Sequence, residues 1–246
     1  DGKTTTTTIL AEMLSAAGKT VWKGGNIGNA LLPSIEQIGD GDAVVAELSS
    51  FQLISMRASP EVAVVTNVAP NHLDVHKDME EYIEAKRNIL RHQTAFSRAV
   101  LNADNVITAS MAELVRGDLR WFSRQNAVRN GAYLDEDGFL CYCEHGALTR
   151  LFSKDEIRIP GMHNVENFLA AIAALWGEVD PEIMRKVARE FPGVEHRIEF
   201  VRERGGVRWY NDSIATSPTR TIAGLACFKQ KVILIGGGYD KKLSYA

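Results

Sequence analysis

Cysteine is scarce in this chain: Cys141, Cys143 and Cys227 are an odd, scattered set of three among 246 residues. That excludes a disulfide framework and fits reduced thiols in a cytoplasmic protein. An excess of one charge is lacking too. Twenty-eight basic against 31 acidic residues leave a formal −3, so no broad basic field exists for nucleic acid or anionic lipid. The longest apolar run, Phe168 to Trp176, is too short to cross a bilayer. No charged-then-apolar leader of the secretory kind opens the sequence. Membrane insertion, a secreted miniprotein and a disordered tail are thereby excluded. What is present is 45% apolar content, ordinary for a packed soluble chain. At roughly 150 residues per domain, the length predicts one large domain or one and a half.

Hydrophobic periodicity gives the organisation. Ile9, Leu10, Met13 and Leu14 mark a helix over Thr4–Ala17, stopped by Gly18. Lys19–Lys23 reads as a strand leading into the loop Gly24–Gly28, and Ala43–Leu48 and Val62–Val68 as strands buried on both faces of a parallel sheet. Asp78–Gln93 is a helix with an acidic first turn and a basic end. Strand, helix and strand follow at Ala99–Leu101, Ala103–Val115 and Leu119–Phe122. Between Ala132 and Phe152 the period changes to alternation around the turn Asp135–Gly138, a small antiparallel insert. Helices are expected at Asn164–Trp176, Pro181–Phe191 and Pro218–Cys227, and strands at Val207–Tyr210 and Lys231–Ile235. Alternating strands and helices make the chain α/β. Pro192-Gly193 divides it into residues 1–193 and an incomplete second domain, 194–246. Both ends fall inside motifs, so a fragment is expected.

Several clusters carry chemistry. Gly2-Lys3-Thr4-Thr5 heading a helix is the back half of a phosphate loop: helix-end amides and an ammonium face phosphate, and a threonine hydroxyl ligates Mg²⁺. A solvated turn with a threonine cap is the plain alternative. Glu47 ends a buried-looking strand at the sheet edge where α/β ligands bind, suited to holding a metal, with an acidic residue that merely starts a solvent loop as the plain alternative. Asn71-His72-Leu73-Asp74-Val75-His76 leaves the next strand at that same edge. Lys86 interrupts the apolar stripe Met79, Tyr82, Ile83, Ile89, Leu90. It is either a snorkelling lysine or a buried amine with a depressed pKa. Asn164 and Asn167 open a helix as caps or as readers of an adenine ring, and His196-Arg197 and Asn211-Asp212-Ser213 begin the second domain with polar groups. Cys141-x-Cys143-x-His145 has no partner pair and is not read as a metal site.

Taken in order, eight stretches resemble the Mur ligase family, in particular its D-glutamate-adding branch. They are Gly2–Thr5, Gly25–Gly28, Glu47–Leu53, Asn71–Asp74, Tyr82–Lys86, His163–Asn167, His196-Arg197 and Asn211–Ser213. The resemblance implies a central P-loop ATPase-like, mostly parallel sheet with flanking helices, followed by part of a Rossmann-like C-terminal domain. A UDP-binding N-terminal domain would precede it. It implies ligation of D-glutamate to UDP-N-acetylmuramoyl-L-alanine with ATP and Mg²⁺ in peptidoglycan precursor synthesis, by a monomer; the alternatives are another Mur or folylpolyglutamate-type ligase and a non-catalytic nucleotide-binding module.

The resemblance also implies roles. Gly2, Lys3, Thr4 and Thr5 would hold ATP phosphates, with Asn164 and Asn167 at adenine and Arg197 and Asp212 reaching the nucleotide from the second domain. Lys3, Glu47, His72 and Lys86 would be catalytic. Thr4 and Glu47 would serve one Mg²⁺, and His72 with a carbamylated Lys86 a second. Asn26, Ser49, Ser50 and Gln52 would line the muramoyl-peptide side, and Thr216 and Lys241 the D-glutamate side. The pattern departs at Ile214, where some members carry lysine.

Overall fold

A computed structural model describes residues 2–28, 30–69, 77–216 and 218–238 of the chain. Helix α1, Lys3–Ala16, leads to β1, Val21–Gly25, and after a 3₁₀ stretch at Leu32–Gln37 to β2, Ala43–Glu47. The short α2, Ser50–Leu53, precedes β3, Val62–Val65, and α3, Met79–Arg91. Then come β4, Arg98–Asn102, α4, Val106–Ser110, and β5, Asp118–Ser123. Three further strands follow: β6, Gly131–Leu134, β7, Phe139–Glu144, and β8, Ala147–Ser153. Helices α5, Met162–Leu175, and α6, Pro181–Glu190, close this part. The hairpin β9, Glu199–Arg204, and β10, Val207–Asn211, is followed by α7, Pro218–Leu225.

Strands β3 to β8 form one six-stranded sheet in chain order. The pairs β3–β4, β4–β5 and β5–β6 are parallel, and β6–β7 and β7–β8 are antiparallel. The alternating segment therefore extends the main sheet at one edge. Strands β1 and β2 form a separate parallel pair. Among the described residues, β2 pairs only with β1 and β3 only with β4. The β9–β10 pair is antiparallel.

Strand alternation sends the core to both faces of the large sheet. Val100 and Phe122 join Ile9, Met13, Phe168, Leu169 and Ile172 in a cluster beneath α1, α5 and α6. Ala63, Val65, Ala99 and Leu101 join Tyr82, Leu90 and Met111 on the α3 side. Helix α5 is buried along nearly its whole length, so the carbonyls at its C-terminal end need donors other than water. Arg120 Nη1 donates to Ala173 O at 3.1 Å and Trp176 O at 2.9 Å, and Arg98 Nη1 donates to Ala174 O at 2.6 Å. Two cations thus complement the negative end of that helix.

The structure corrects several boundaries. The helix expected over Ala103–Val115 is only α4 and a 3₁₀ turn, Met111–Leu114; Asn105 caps it by accepting from Thr108 N–H at 3.0 Å. Gly24 and Gly25 lie within β1, not in a loop. Residues 231–235 pair with no strand among the described residues, and Ile233 is 93% exposed; β-branched composition makes no strand without a neighbour to hydrogen-bond. Strand β9, rich in charge, adds a strand that the apolar pattern does not predict. Among the described residues, no helix is long and apolar enough to cross a membrane.

Candidate functional site

The N-terminus of α1 is the anchor. Gly2 adopts φ 80°, and no side chain caps the helix. Its first amides are thus left for an anion, reinforced by the helix dipole. Glycine is required: a Cβ at Gly2 would lie 2.5 Å from Asn167 Oδ1. The threonines that follow are poor helix formers, yet Thr5 to Thr8 are buried and two hydroxyls find acceptors. Thr8 Oγ1 donates to Thr4 O at 2.9 Å and Thr6 Oγ1 to Asn167 Oδ1 at 3.2 Å. Asn167 Nδ2 donates on to Asn164 Oδ1 at 3.1 Å, and Asn164 Nδ2 to Pro160 O at 2.6 Å. Neither asparagine is a cap; Gly161 holds the N-cap position of α5. Both instead line the face of α5 that meets α1.

Glu47, at the end of β2, is only 4% exposed. Thr4 Oγ1 donates to its Oε2 at 2.7 Å and Asn26 Nδ2 to its Oε1 at 3.0 Å. The close pairing of β1 with β2 permits this: Gly25 faces Glu47 in register, and a Cβ on Gly25 would sit 2.3 Å from Glu47 O. Lys3 is drawn to Glu47, but burial outweighs that attraction and lowers its pKa, helped by Arg220 and Arg197.

Lys86 projects from α3 into this same field. It is 8% exposed, with its Nζ 5.0 Å from the Tyr82 ring centre, within cation–π range. Burial lowers its pKa to about 8; the Lys3 charge adds to the effect and Glu47 opposes it. A substantial neutral fraction near pH 7.5 gives a nucleophilic amine.

The segment after residue 193 closes over this cluster. Arg197 Nη2 donates to Thr4 Oγ1 at 3.4 Å, and Arg197 Nε is buried without a hydrogen-bond partner among the described residues. Burial lowers its pKa, with Arg220 the next cause. Asp212 Oδ1 accepts from Ile198 N–H at 3.2 Å. His163, at the start of α5, has its pKa lowered by burial and lies 4.0 Å from Cys227 Sγ beyond α7.

Lys3, Thr4, Glu47, Lys86 and Arg197 thus converge, with Asn26 on the carboxylate and Asn167 behind Gly2. Ser49 and Gln52 serve each other as a capping box of α2: Gln52 N–H donates to Ser49 Oγ at 3.3 Å and Ser49 N–H to Gln52 Oε1 at 2.8 Å. Ser50 is buried beside them. Thr216 is exposed in the turn before α7, its N–H donating to Ile214 O at 2.9 Å. His72 and Lys241, with Asp74 and His76, lie outside the described residues. No group of three His, Cys, Asp or Glu side chains among the described residues is arranged to hold a metal by itself. The carboxylate–hydroxyl pair Glu47 and Thr4 is the oxygen donor set present, and it suits a hard cation that takes its other ligands from phosphate and water. Cys141 and Cys143 are buried in β7, the Cys141 thiol pushed up to about 11 by burial. Sequence reading missed Thr6, which bonds Asn167 behind Gly2; the run of threonines in a helix was the signal for it.

A family model described as the Mur ligase middle domain matches residues 1–175. A protein of Acetivibrio thermocellus named UDP-N-acetylmuramoylalanine--D-glutamate ligase is 59% identical over 245 residues, covering 100% of this chain and 52% of that protein. One of the same name from Clostridium acetobutylicum is 53% identical over 246 residues, covering 100% and 52%. The chain spans about half the length of the curated relatives it matches. Among solved structures, a UDP-N-acetylmuramoyl-L-alanyl-D-glutamate–2,6-diaminopimelate ligase matches with TM-score 0.73 at 22% identity, over 95% of this chain and 53% of that one. At that identity the likeness carries the fold alone.

Proposed function

This chain belongs to the Mur ligase family, and from that premise we propose that it is the ATP-handling part of an amide ligase that joins D-glutamate to UDP-N-acetylmuramoyl-L-alanine. Residues 1–193 would be the central domain and 194–246 the start of a Rossmann-like C-terminal one. The protein would act in the cytoplasm as a monomer, in peptidoglycan precursor synthesis. The observation that carries the reading is the convergence of Lys3, Thr4, Glu47 and Arg197 at the uncapped N-terminus of α1.

The chemistry follows from that arrangement. The terminal carboxylate of the muramoyl-peptide attacks the γ-phosphoryl group of ATP, and the bond to the β-phosphate oxygen breaks, giving an acyl phosphate and ADP. The amine of D-glutamate then attacks the acyl carbon, and phosphate leaves. The main demand is to hold three negatively charged groups together while charge moves among them. The α1 amides with Gly2, Lys3, Thr4 and Thr5 would cradle phosphates, and Arg197 would stabilise them from the other side. Asn164 and Asn167 would face adenine, with Asp212 toward the nucleotide. Thr4 and Glu47 would hold one Mg²⁺, and His72 with a carbamylated Lys86 a second, supplying neutralisation of phosphate oxygens. A lysine amine with a pKa near 8 supports that carbamylation, since only the neutral amine adds to carbon dioxide. Asn26, Ser49, Ser50 and Gln52 would line the muramoyl-peptide and Thr216 and Lys241 the D-glutamate. Burial of the cluster under the segment after residue 193 would keep water from the acyl phosphate.

The test is to incubate the full-length protein with ATP, UDP-N-acetylmuramoyl-L-alanine and each amino acid in turn, following phosphate release and product mass. Product with D-glutamate alone is expected. Product with an L-amino acid and none with D-glutamate overturns the choice of substrate.

A further inference from the structure

We propose that Arg220, in the first turn of α7, is a further phosphate-contacting residue of this site, reaching the same anion as Lys3 and Arg197. The inference rests on the ligase reading above and adds a residue to it.

The geometry comes from a chain of contacts. Arg197 meets Thr4 at the head of α1. The next residue, Ile198, donates its amide to Asp212 Oδ1. The other oxygen of Asp212 lies against Gly224, so close that a Cβ there would be 2.6 Å from it. Gly224 is a buried position of α7, so this face of the helix packs inward on Asp212. Arg220 is four residues earlier, on the same face and one turn nearer the helix start. From there its charge is felt by Lys3, at the head of α1, and by Arg197.

The charges agree with this placement. Arg220 acts on both Lys3 and Arg197, and Lys3 in turn acts on Lys86. Four cations therefore share one field, and Glu47 and Asp212 are carboxylates that act on members of it among the described residues. Half-buried cations crowded this way repel one another, and a cation in a helix first turn is also opposed by the dipole. A polyphosphate or an acyl phosphate turns each of those costs into an attraction. The guanidinium fork is shaped for two phosphate oxygens at once, which a third cation from a separate element would use to clamp the group from the second domain. Ile214, in the turn before α7, is 39% exposed and brings no charge.

The experiment uses the full-length ligase and its variants Arg220→Met, Arg220→Gln and Arg220→Lys. Four quantities are read: kcat, KM for ATP, KM for D-glutamate, and the affinity for the non-hydrolysable analogue AMP-PNP by calorimetry. Removing the charge is expected to lower kcat/KM for ATP by roughly tenfold or more and to weaken AMP-PNP binding. KM for D-glutamate should stay within about twofold. Arg220→Lys should recover part of the loss. If the wild-type protein makes no D-glutamyl product, the ligase reading fails, whatever Arg220 does. If the wild type ligates and all three variants match it in kcat, KM for ATP and AMP-PNP affinity, the Arg220 proposal fails alone. If Arg220→Met melts early, Arg220→Gln against Arg220→Lys at a temperature where both are folded decides: equal values overturn the proposal, and a deficit confined to glutamine supports it.

Discussion

The Thr4 hydroxyl donates to the Glu47 carboxylate at 2.7 Å, joining the head of α1 to the end of β2 across 43 residues of chain. Asn26 holds the second oxygen of that carboxylate. These contacts make Glu47 the point through which helix, strand and loop are set against one another.

Glu47→Ala in the full-length protein is therefore expected to abolish ligation, a loss on the order of a hundredfold or more. It also strips the acceptor from Thr4 and Asn26, costing about 1–3 kcal/mol of stability. Phosphate-release assays and thermal melts measure the two effects separately. Glu47→Gln keeping normal turnover would remove the carboxylate from the mechanism.

Gly25→Ala tests the same point from the backbone. Gly25 has φ 100° and no room for a Cβ beside Glu47 O. The substitution should cost roughly 2 kcal/mol or more and shift the carboxylate, so activity and melting temperature fall together. A variant of unchanged stability would contradict the close approach of β1 and β2.

Lys86 gives a pH signature. Its folded pKa near 8 lies below its ordinary 10.5. Between those values the unfolded chain holds more protons at this nitrogen, so stability rises with pH across that window, and below pH 8 the full penalty applies. The penalty is worth about 3 kcal/mol at most, less the cation–π contact with Tyr82. In carbonate-free buffer, Lys86→Met should melt higher than wild type at pH 7, with the margin shrinking towards pH 10, yet be inactive. With ¹³C-bicarbonate, the wild type should show a carbamate carbon signal that Lys86→Arg lacks. A pH-independent margin, or a carbamate signal surviving in Lys86→Arg, counts against the assignment.

Glu156 behaves in the opposite sense. Hydrogen bonds from Arg185, then Ser153 and Arg189, hold its carboxyl down at about 2 from an ordinary 4.5, tying the turn after β8 to α6. The stability it contributes is present above pH 4.5 and lost as pH falls through 2. After allowance for solvent screening it amounts to about 1–2 kcal/mol. Glu156→Gln should melt lower at pH 7 and match wild type near pH 2; equal melting at pH 7 would show the cluster to be only superficial.

Much of the fold is legible in the sequence where local pattern and burial agree. The end of β2 at Glu47, the amphipathic α3 with Lys86 on its buried face, and α1 opening at Gly2 could all be read from spacing. What could not be read depends on partners distant in sequence. Arg98 and Arg120 look like strand-surface charges until α5 brings its carbonyls over them. Asn164 looks like a cap because Gly161, which holds that position, offers no side chain to signal it. Residues 231–235 have strand composition but no neighbour to pair with. The β9–β10 hairpin had a local signal after all, in Gly205-Gly206 with φ 59° and 76°, the positive values a tight hairpin turn demands. Arg220 carried none, because its nearness to Lys3 and Arg197 arises only from packing between segments distant in sequence.

The grip of Thr4 and Asn26 on Glu47 has a consequence for how ligands arrive. A buried acid that already accepts a hydrogen bond on each oxygen needs no visitor to hold its place. A cation arriving at this carboxylate must displace the Thr4 hydroxyl proton and the Asn26 amide, so binding there is an exchange of partners rather than the filling of an empty slot.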